Sequence, residues 1–372
     1  MDSYRFLLLY LLLSIIDSTF VYPSEGDTSR LTLVIAGDVM GHDSQIISAW
    51  QEKDNTYDYN SCFEYISPFI RQADIAIANL EVTLGGPPYS GYPQFSSPDV
   101  LAGALKDTGF DVLLNANNHA LDRGKQGLIR TVGILDKYDL IHTGAFASQE
   151  AHNSLYPLVI EKNGILLGLL NYTYGTNGLK ADTPAMVNYI DTAQICADLE
   201  KVKKAGPDFI IALVHWGNEY ERIQNSTQES LAAFFFLHGA NAIIGSHPHV
   251  IQPVVVSTYP SDTSGIRIVA YSLGNFLSNQ RDRYRDGGIL FFMELTKTDR
   301  TRITDFSYLP VWVSKPTENG KETFRLVPAD IAGEQIKSVN YPVSDPDKFN
   351  RFREDTRLQL SNIRGEKSSR LR

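Results

Sequence analysis

Short apolar runs that stop abruptly in polar clusters recur along this chain. Leu31 to Ala36 (LTLVIA) ends in Gly37-Asp38, Ile75 to Ala78 ends in Asn79-Leu80-Glu81, and Val112 to Leu114 ends in the polar string Asn115 to His119. Phe209 to Val214 ends in His215-Trp216-Gly217, and Asn241 to Gly245 leads into Ser246-His247-Pro248-His249. Continuous apolar runs of this length predict strands covered on both faces, as in α/β folds. Helical spacing of apolar positions predicts helices over Asp99 to Thr108, Gly124 to Tyr138, Thr192 to Ala205 and Ser226 to His238, the last capped by Ser226 or Thr227.

A second group of strands is predicted over Leu155 to Ile160, Ile165 to Leu170, Ile266 to Ala270, Ile289 to Leu295 and Ile303 to Val313. Lys162-Asn163-Gly164 joins the first two as a hairpin signal. The expected product is two packed sheets with helices outside. After Ser314, Pro316 to Glu322 reads as a loop, Phe324 to Pro328 as an edge strand, and Asp345 to Ile363 as helical material. Arg364 to Arg372 reads as a frayed tail. The expected organisation is a leader over 1–25, a main domain over 30–313, and a C-terminal extension over 314–372 that packs on it.

Composition narrows the function classes. The chain has 372 residues, 43% of them hydrophobic, with a formal net charge of -9, so general attraction to nucleic acid or anionic membrane is not expected. The uncharged run from Phe6 to Ile16 is too short to anchor in a bilayer and suits the apolar core of a signal peptide, which predicts export. Cys62 and Cys196 make no disulfide framework; they read as two buried thiols, with pairing in an oxidising compartment as the alternative.

The polar clusters carry the candidate chemistry. Asp38 follows a strand and precedes His42 by four residues, and Glu81 is a carboxylate at a strand end. Asn118-His119 sits in a string of asparagines, with Asp122 placed to orient His119 through its ring N–H. His215 closes the most apolar internal strand, and His247 and His249 flank a stiffening proline. Imidazoles and carboxylates converging from strand ends are what transition metals bind, and a bridging carboxylate holds two cations close together. Trp216, Asn218, Glu219, Asn171, Tyr172 and Asn275 are candidates for the substrate surface, and Arg123 is the nearest basic residue for a phosphate or carboxylate. Arg281, Arg283 and Arg285 read equally well as a solubilising face.

The segments GDVMGH, ANLE, NANNHALDRG, VHWGNEY, GSHPHVIQP and YSLGNF, in this order, resemble the CapA/PgsA-like poly-gamma-glutamate capsule biosynthesis proteins of the calcineurin-like metallophosphoesterase superfamily. The resemblance covers roughly Leu31 to Leu295. It implies a four-layer α/β/β/α sandwich with two divalent or trivalent metal ions, Mn, Fe or Zn. By motif, Asp38 and His249 fall at the first metal, Glu81 at the bridging position, and Asn118, His215 and His247 at the second, with His119 as the near-metal acid and Asp122 supporting it. The superfamily commonly has Asp-x-His in its first motif, whereas three residues separate Asp38 from His42, so His42 is the weaker ligand candidate. Its bridging residue is usually Asp, and here it is Glu81.

The implied activity is a metal-dependent hydrolase at the periplasmic or extracellular face of a bacterial envelope, acting on a phosphoester. The alternative is an accessory to capsule machinery that binds or processes an anionic polymer or peptide, with or without gamma-glutamyl amide hydrolysis.

Overall fold

The computed structural model describes residues 28–258, 265–329, 341–361 and 363. The Phe6 to Ile16 run and the Arg364 to Arg372 tail lie outside the described residues. Among the described residues, no helix is long and apolar enough to cross a membrane.

Alternation along each strand decides the layering. In Ser29–Val39, Leu31, Leu33 and Ile35 join one core while Val34 and Ala36 join another. In Phe209–His215, Phe209, Ile211 and Leu213 join the same shared core, while Ile210, Ala212 and Val214 face a third. Period-two side-chain direction therefore buries both faces of both sheets. The shared core lies between the sheets. Val100–Thr108 covers the outside of the first sheet through Leu101, Ala102 and Leu105. Thr192–Lys204 and Ser226–Leu237 cover the outside of the second through Ile195, Leu199, Leu231 and Phe235. The result is the expected four-layer α/β/β/α sandwich.

The first sheet runs, in spatial order, Arg325–Pro328, Thr301–Ser314, Gly287–Lys297, Ser29–Val39, Ile75–Leu80, Val112–Leu114 and Ile141–Thr143, with Asn275–Leu277 pairing in parallel beside the end of Ser29–Val39. Its last four members in this order are mutually parallel, and the others antiparallel. The second sheet runs Val254–Thr258, Ile266–Ala270, Ala242–Ser246, Phe209–His215, Ile165–Thr173 and Leu158–Lys162, parallel through its four central strands. The five polar-ended strands are thus divided between the sheets, three in the first and two in the second.

Several details differ from the sequence reading. Thr317–Glu318 and Lys321–Glu322 pair as a small hairpin where a loop was expected. The strand expected from Leu155 begins at Leu158, because Gln149–Leu155 is a helix capped by Ser148. Ser226–Leu237 is capped by Asn225, whose side chain accepts from the Gln228 N–H in a capping box, rather than by Ser226 or Thr227. The hairpin at Asn163-Gly164 forms as expected, with both residues at positive φ. Helix Pro346–Gln359 adds Phe352 to the shared core, and the edge strand Arg325–Pro328 pairs with Thr301–Ser314 and places Leu326 in the outer core of the first sheet. Cys62 is buried and Cys196 half-buried, and both are free; Cys196 lies 3.6 Å from His238 Nδ1 instead of a second sulfur.

Candidate metal centre

The carboxyl ends of the parallel strands from both sheets meet in one place, where open α/β sheets position their ligands. Asp38 sits in register between Asn79 of the neighbouring strand and Asn275 on its other side. Gly37 makes this approach feasible. The Asp38 N–H donates to the Gly274 carbonyl at 3.0 Å, and a Cβ on Gly37 would stand 1.9 Å from that oxygen. Two residues past Asn79 in the same extended direction, Glu81 projects to the same side, and Asn79 Nδ2 donates to Asp38 Oδ1 at 2.8 Å and to Glu81 Oε2 at 3.1 Å.

The second sheet supplies the imidazoles. His215 Nε2 lies 2.9 Å from Asn118 Oδ1 and 3.6 Å from Glu81 Oε1, while its Nδ1 meets Ser246 Oγ at 2.9 Å. His249 Nδ1 lies 3.2 Å from Asp38 Oδ2 and 3.1 Å from Asn275 Oδ1, and its Nε2 is 3.5 Å from Glu81 Oε1. His247 and His249 adopt φ values of 98° and 56°, an uncommon backbone for residues other than glycine. Strain of this kind is retained where a site over-determines the conformation.

Two groups have ligand atoms all within 4.8 Å of one another: Glu81, His247 and His249, and Asp38, Glu81 and His215. They share Glu81. All five residues are buried, yet Glu81 Oε1 and His247 Nδ1 have no hydrogen-bond partner. A buried, unpartnered carboxylate oxygen between three imidazoles is costly unless a cation satisfies it. The nitrogen and oxygen donor set therefore fits two clustered metal sites.

The electrostatics agree with that fit. Burial, followed by repulsion from Asp38, pushes the Glu81 carboxyl well above its ordinary range. Burial would raise Asp38 too, but the His249 contact and the Asn79 hydrogen bond outweigh it and hold Asp38 low. Burial, reinforced by neighbouring imidazoles, holds His215 far below the usual histidine value and His247 at about 3. These imidazoles are neutral at neutral pH, the form that binds metal.

His119 stands beside the cluster, within electrostatic reach of His215 and His247. Its Nδ1 is 2.7 Å from Asp122 Oδ2, which also accepts the Phe95 N–H at 2.7 Å, and the Phe95 ring packs edge-on at 4.6 Å. Asp122, itself held by the Phe95 N–H, thus braces one nitrogen of the ring.

The remaining sequence candidates divide. Asn275 belongs to the cluster through His249. Asn118 does so through His215. Tyr174, outside that candidate set, packs on two of the three imidazoles, its ring 4.5 Å from His247 and 6.2 Å from His215. Burial, then nearby carboxylates, pushes the Tyr174 phenol up to about 12, so it stays a donor.

Asn171 braces the backbone, accepting from the Ala116 N–H and donating to the Leu213 carbonyl. Tyr172 points into the outer core with its hydroxyl on Asp198, and Trp216 is buried with its indole N–H on the Tyr271 carbonyl. Asn218 and Glu219 are exposed, and Arg123 donates to the Pro88 carbonyl. His42 stands outside both ligand groups, with Nδ1 against Gln45 Oε1 at 2.9 Å. Asn79 is a further residue of the cluster that its sequence pattern alone does not single out, although its place two residues before Glu81 on a strand puts it on the same face.

The family model described as bacterial capsule synthesis protein PGA_cap matches residues 32–280. The chain belongs to this capsule synthesis family. Every residue of the metal cluster, from Asp38 to His249, falls inside the span shared with it. Among family relatives, the PGA biosynthesis protein CapA of Bacillus subtilis (strain 168) is 31% identical over 297 residues, covering 76% of this chain and 73% of that protein. The capsule biosynthesis protein CapA of Bacillus anthracis is 28% identical over 268 residues, covering 68% of this chain. This chain spans 61% of the length of the Bacillus anthracis relative. Among solved structures, the calcineurin-like phosphoesterase YfkN of Bacillus subtilis aligns with a TM-score of 0.44 at 15% identity, over 90% of this chain and 99% of that one.

Proposed function

We propose that this protein is a metal-dependent hydrolase of the bacterial envelope that cleaves a phosphoester. The observation that carries the reading is the unpartnered, buried Glu81 Oε1 shared by two ligand groups, with the braced His119 beside it. Glu81 would contribute to both cations, and Asp38, His215, His247 and His249, with Asn118 beside His215, would supply the remaining ligands. Cations bound there would supply positive charge to the phosphoryl oxygens and lower the pKa of water.

The chain's own groups do the positioning. Asn79 fixes Asp38 and Glu81 relative to each other, and Ser246 holds His215 by Nδ1 so that Nε2 faces Glu81 and Asn118. His119, held through Nδ1 by Asp122, presents Nε2 as the proton donor to the leaving oxygen.

One relative is named a PGA biosynthesis protein, and the resemblance to poly-gamma-glutamate capsule proteins supports a second substrate for the same centre, a gamma-glutamyl amide whose departing nitrogen would take the His119 proton. The family and the apolar Phe6 to Ile16 run support work outside the cytoplasm.

Elemental analysis of the full chain, followed by hydrolysis assays on p-nitrophenyl phosphate and a gamma-glutamyl peptide with Mn, Zn or Fe, tests the proposal. About two metals per chain and phosphoester turnover lost in His119→Ala are expected. Turnover of the gamma-glutamyl peptide alone would transfer the assignment to amide hydrolysis. Metal below about 0.2 per chain after reconstitution, with no turnover, would overturn both.

A further inference from the structure

Arg285 reaches the His249 side of this centre through the Tyr220 ring. The guanidinium of Arg285 lies 3.5 Å from the centroid of the Tyr220 ring, a face-on cation–π contact. Tyr220 is itself tied to the site. Its N–H donates to the Pro248 carbonyl at 2.8 Å, its φ is 68°, and its ring centroid is 6.2 Å from that of His249. Arg285 is tied there independently, because Asn275 Nδ2 donates to the Arg285 carbonyl at 2.8 Å while Asn275 Oδ1 meets His249 Nδ1. One asparagine therefore links the arginine's backbone to a candidate metal ligand, and one tyrosine links its side chain to the same loop.

The charge on Arg285 is only loosely used within the protein. Its ion pair is with Asp282 Oδ2 at 3.0 Å, an i, i+3 contact in which the Asp282 side chain is 79% exposed. Exposed pairs of this kind contribute little and give way to a better-placed anion. Glu219, the other carboxylate beside Tyr220, is also exposed. The guanidinium, by contrast, has one face already desolvated on Tyr220 and a planar edge that suits a carboxylate or phosphate in two parallel hydrogen bonds.

We propose that Arg285, seated on Tyr220 beside the His249 arm of the metal centre, reads a second anionic group on the substrate, so that the site prefers substrates carrying a carboxylate or phosphate next to the bond being cleaved. This rests on the hydrolase reading for the word substrate, but the recognition itself is a binding property. Arg285 is a specificity residue: it acts on a group away from the reacting atoms.

Two phosphomonoesters isolate that property. Glycerol 2-phosphate and 2-phosphoglycerate differ in that a hydroxymethyl group in the first is a carboxylate in the second. Titration calorimetry on the metal-loaded full chain carrying His119→Ala, which keeps either ester from being consumed during the titration, measures both affinities, and turnover is assayed separately on the unaltered protein. The expected result is about tenfold tighter binding of 2-phosphoglycerate, the value of one charge-assisted hydrogen-bond pair. Arg285→Gln should bring the two affinities together and Arg285→Lys should restore part of the difference, with metal content unchanged in both variants. Equal affinities with Arg285 in place, or a preference that survives in Arg285→Gln, would overturn the proposal. Preferential binding without turnover would leave Arg285 as proposed and count against the hydrolase reading instead.

Discussion

A histidine can deliver a proton to a leaving group only while its other nitrogen is held in one protonation state and one orientation. His119 meets that condition through a single carboxylate. Asp122 Oδ2 faces His119 Nδ1 at 2.7 Å and is itself fixed by the Phe95 N–H, so the ring cannot rotate without breaking a buried contact. Removing the ring and removing its brace should therefore have different sizes of effect. His119→Ala is expected to lower kcat on a phosphoester by about 100- to 10,000-fold, the usual range for losing a general acid. Asp122→Asn keeps an acceptor for the Phe95 N–H but loses the charge behind His119, and a smaller loss of about 10- to 100-fold is expected, with metal content retained. Steady-state rates and metal analysis on the same preparations check this. A loss of metal in Asp122→Asn would instead make the carboxylate part of the scaffold of the cluster.

At the scale of elements, the site depends on how closely strand ends approach one another, and Gly37 is the tightest point. Its missing side chain lets Ser29–Val39 and the turn before Asn275–Leu277 come within backbone hydrogen-bond distance, which sets Asp38 beside Asn79. In Gly37→Ala the new methyl would meet a backbone carbonyl rather than a yielding side chain. The expected cost is about 1–3 kcal/mol in urea denaturation, as for other overpacked positions, together with weaker metal binding because Asp38 shifts with the strand.

Legibility in the sequence also ends near this point. Asp38, Glu81, Asn118, His215, His247 and His249 could each be found because an apolar run stops and a polar residue follows, which is a local signal. The approach of Gly37 to Gly274 joins residues far apart in the chain, and no local pattern announces it. Arg285 on Tyr220 is a similar case, since in the sequence Arg281, Arg283 and Arg285 look alike and only tertiary contact separates them.

For the whole molecule, the decisive fact is that neither sheet holds the centre alone. Asp38 and Glu81 extend from the first sheet, and His215, His247 and His249 from the second. The apolar runs predicted two sheets but could not assign strands between them, because pairing is a long-range choice among similar apolar runs. That division gives the metal a structural consequence. A cation bound by side chains from both sheets binds the folded sandwich and has no comparable site in the unfolded chain, so it stabilises the whole by mass action. At free metal about a thousandfold above Kd the gain is about 4 kcal/mol. In a domain of this size such a gain raises Tm by several degrees.

Thermal unfolding of the metal-loaded protein before and after chelation should show that shift, and it should be reversed by adding the metal back. In Glu81→Gln the shift should largely vanish, because the shared ligand loses its charge. The metal-free Glu81→Gln protein should also melt no lower than the metal-free parent, since burial and Asp38 already oppose ionisation of Glu81. If elemental analysis showed that chelation removed the metal and Tm in the parent stayed unchanged, the cation would not bind the folded sandwich in preference to the unfolded chain, and Glu81 would lose its bridging role.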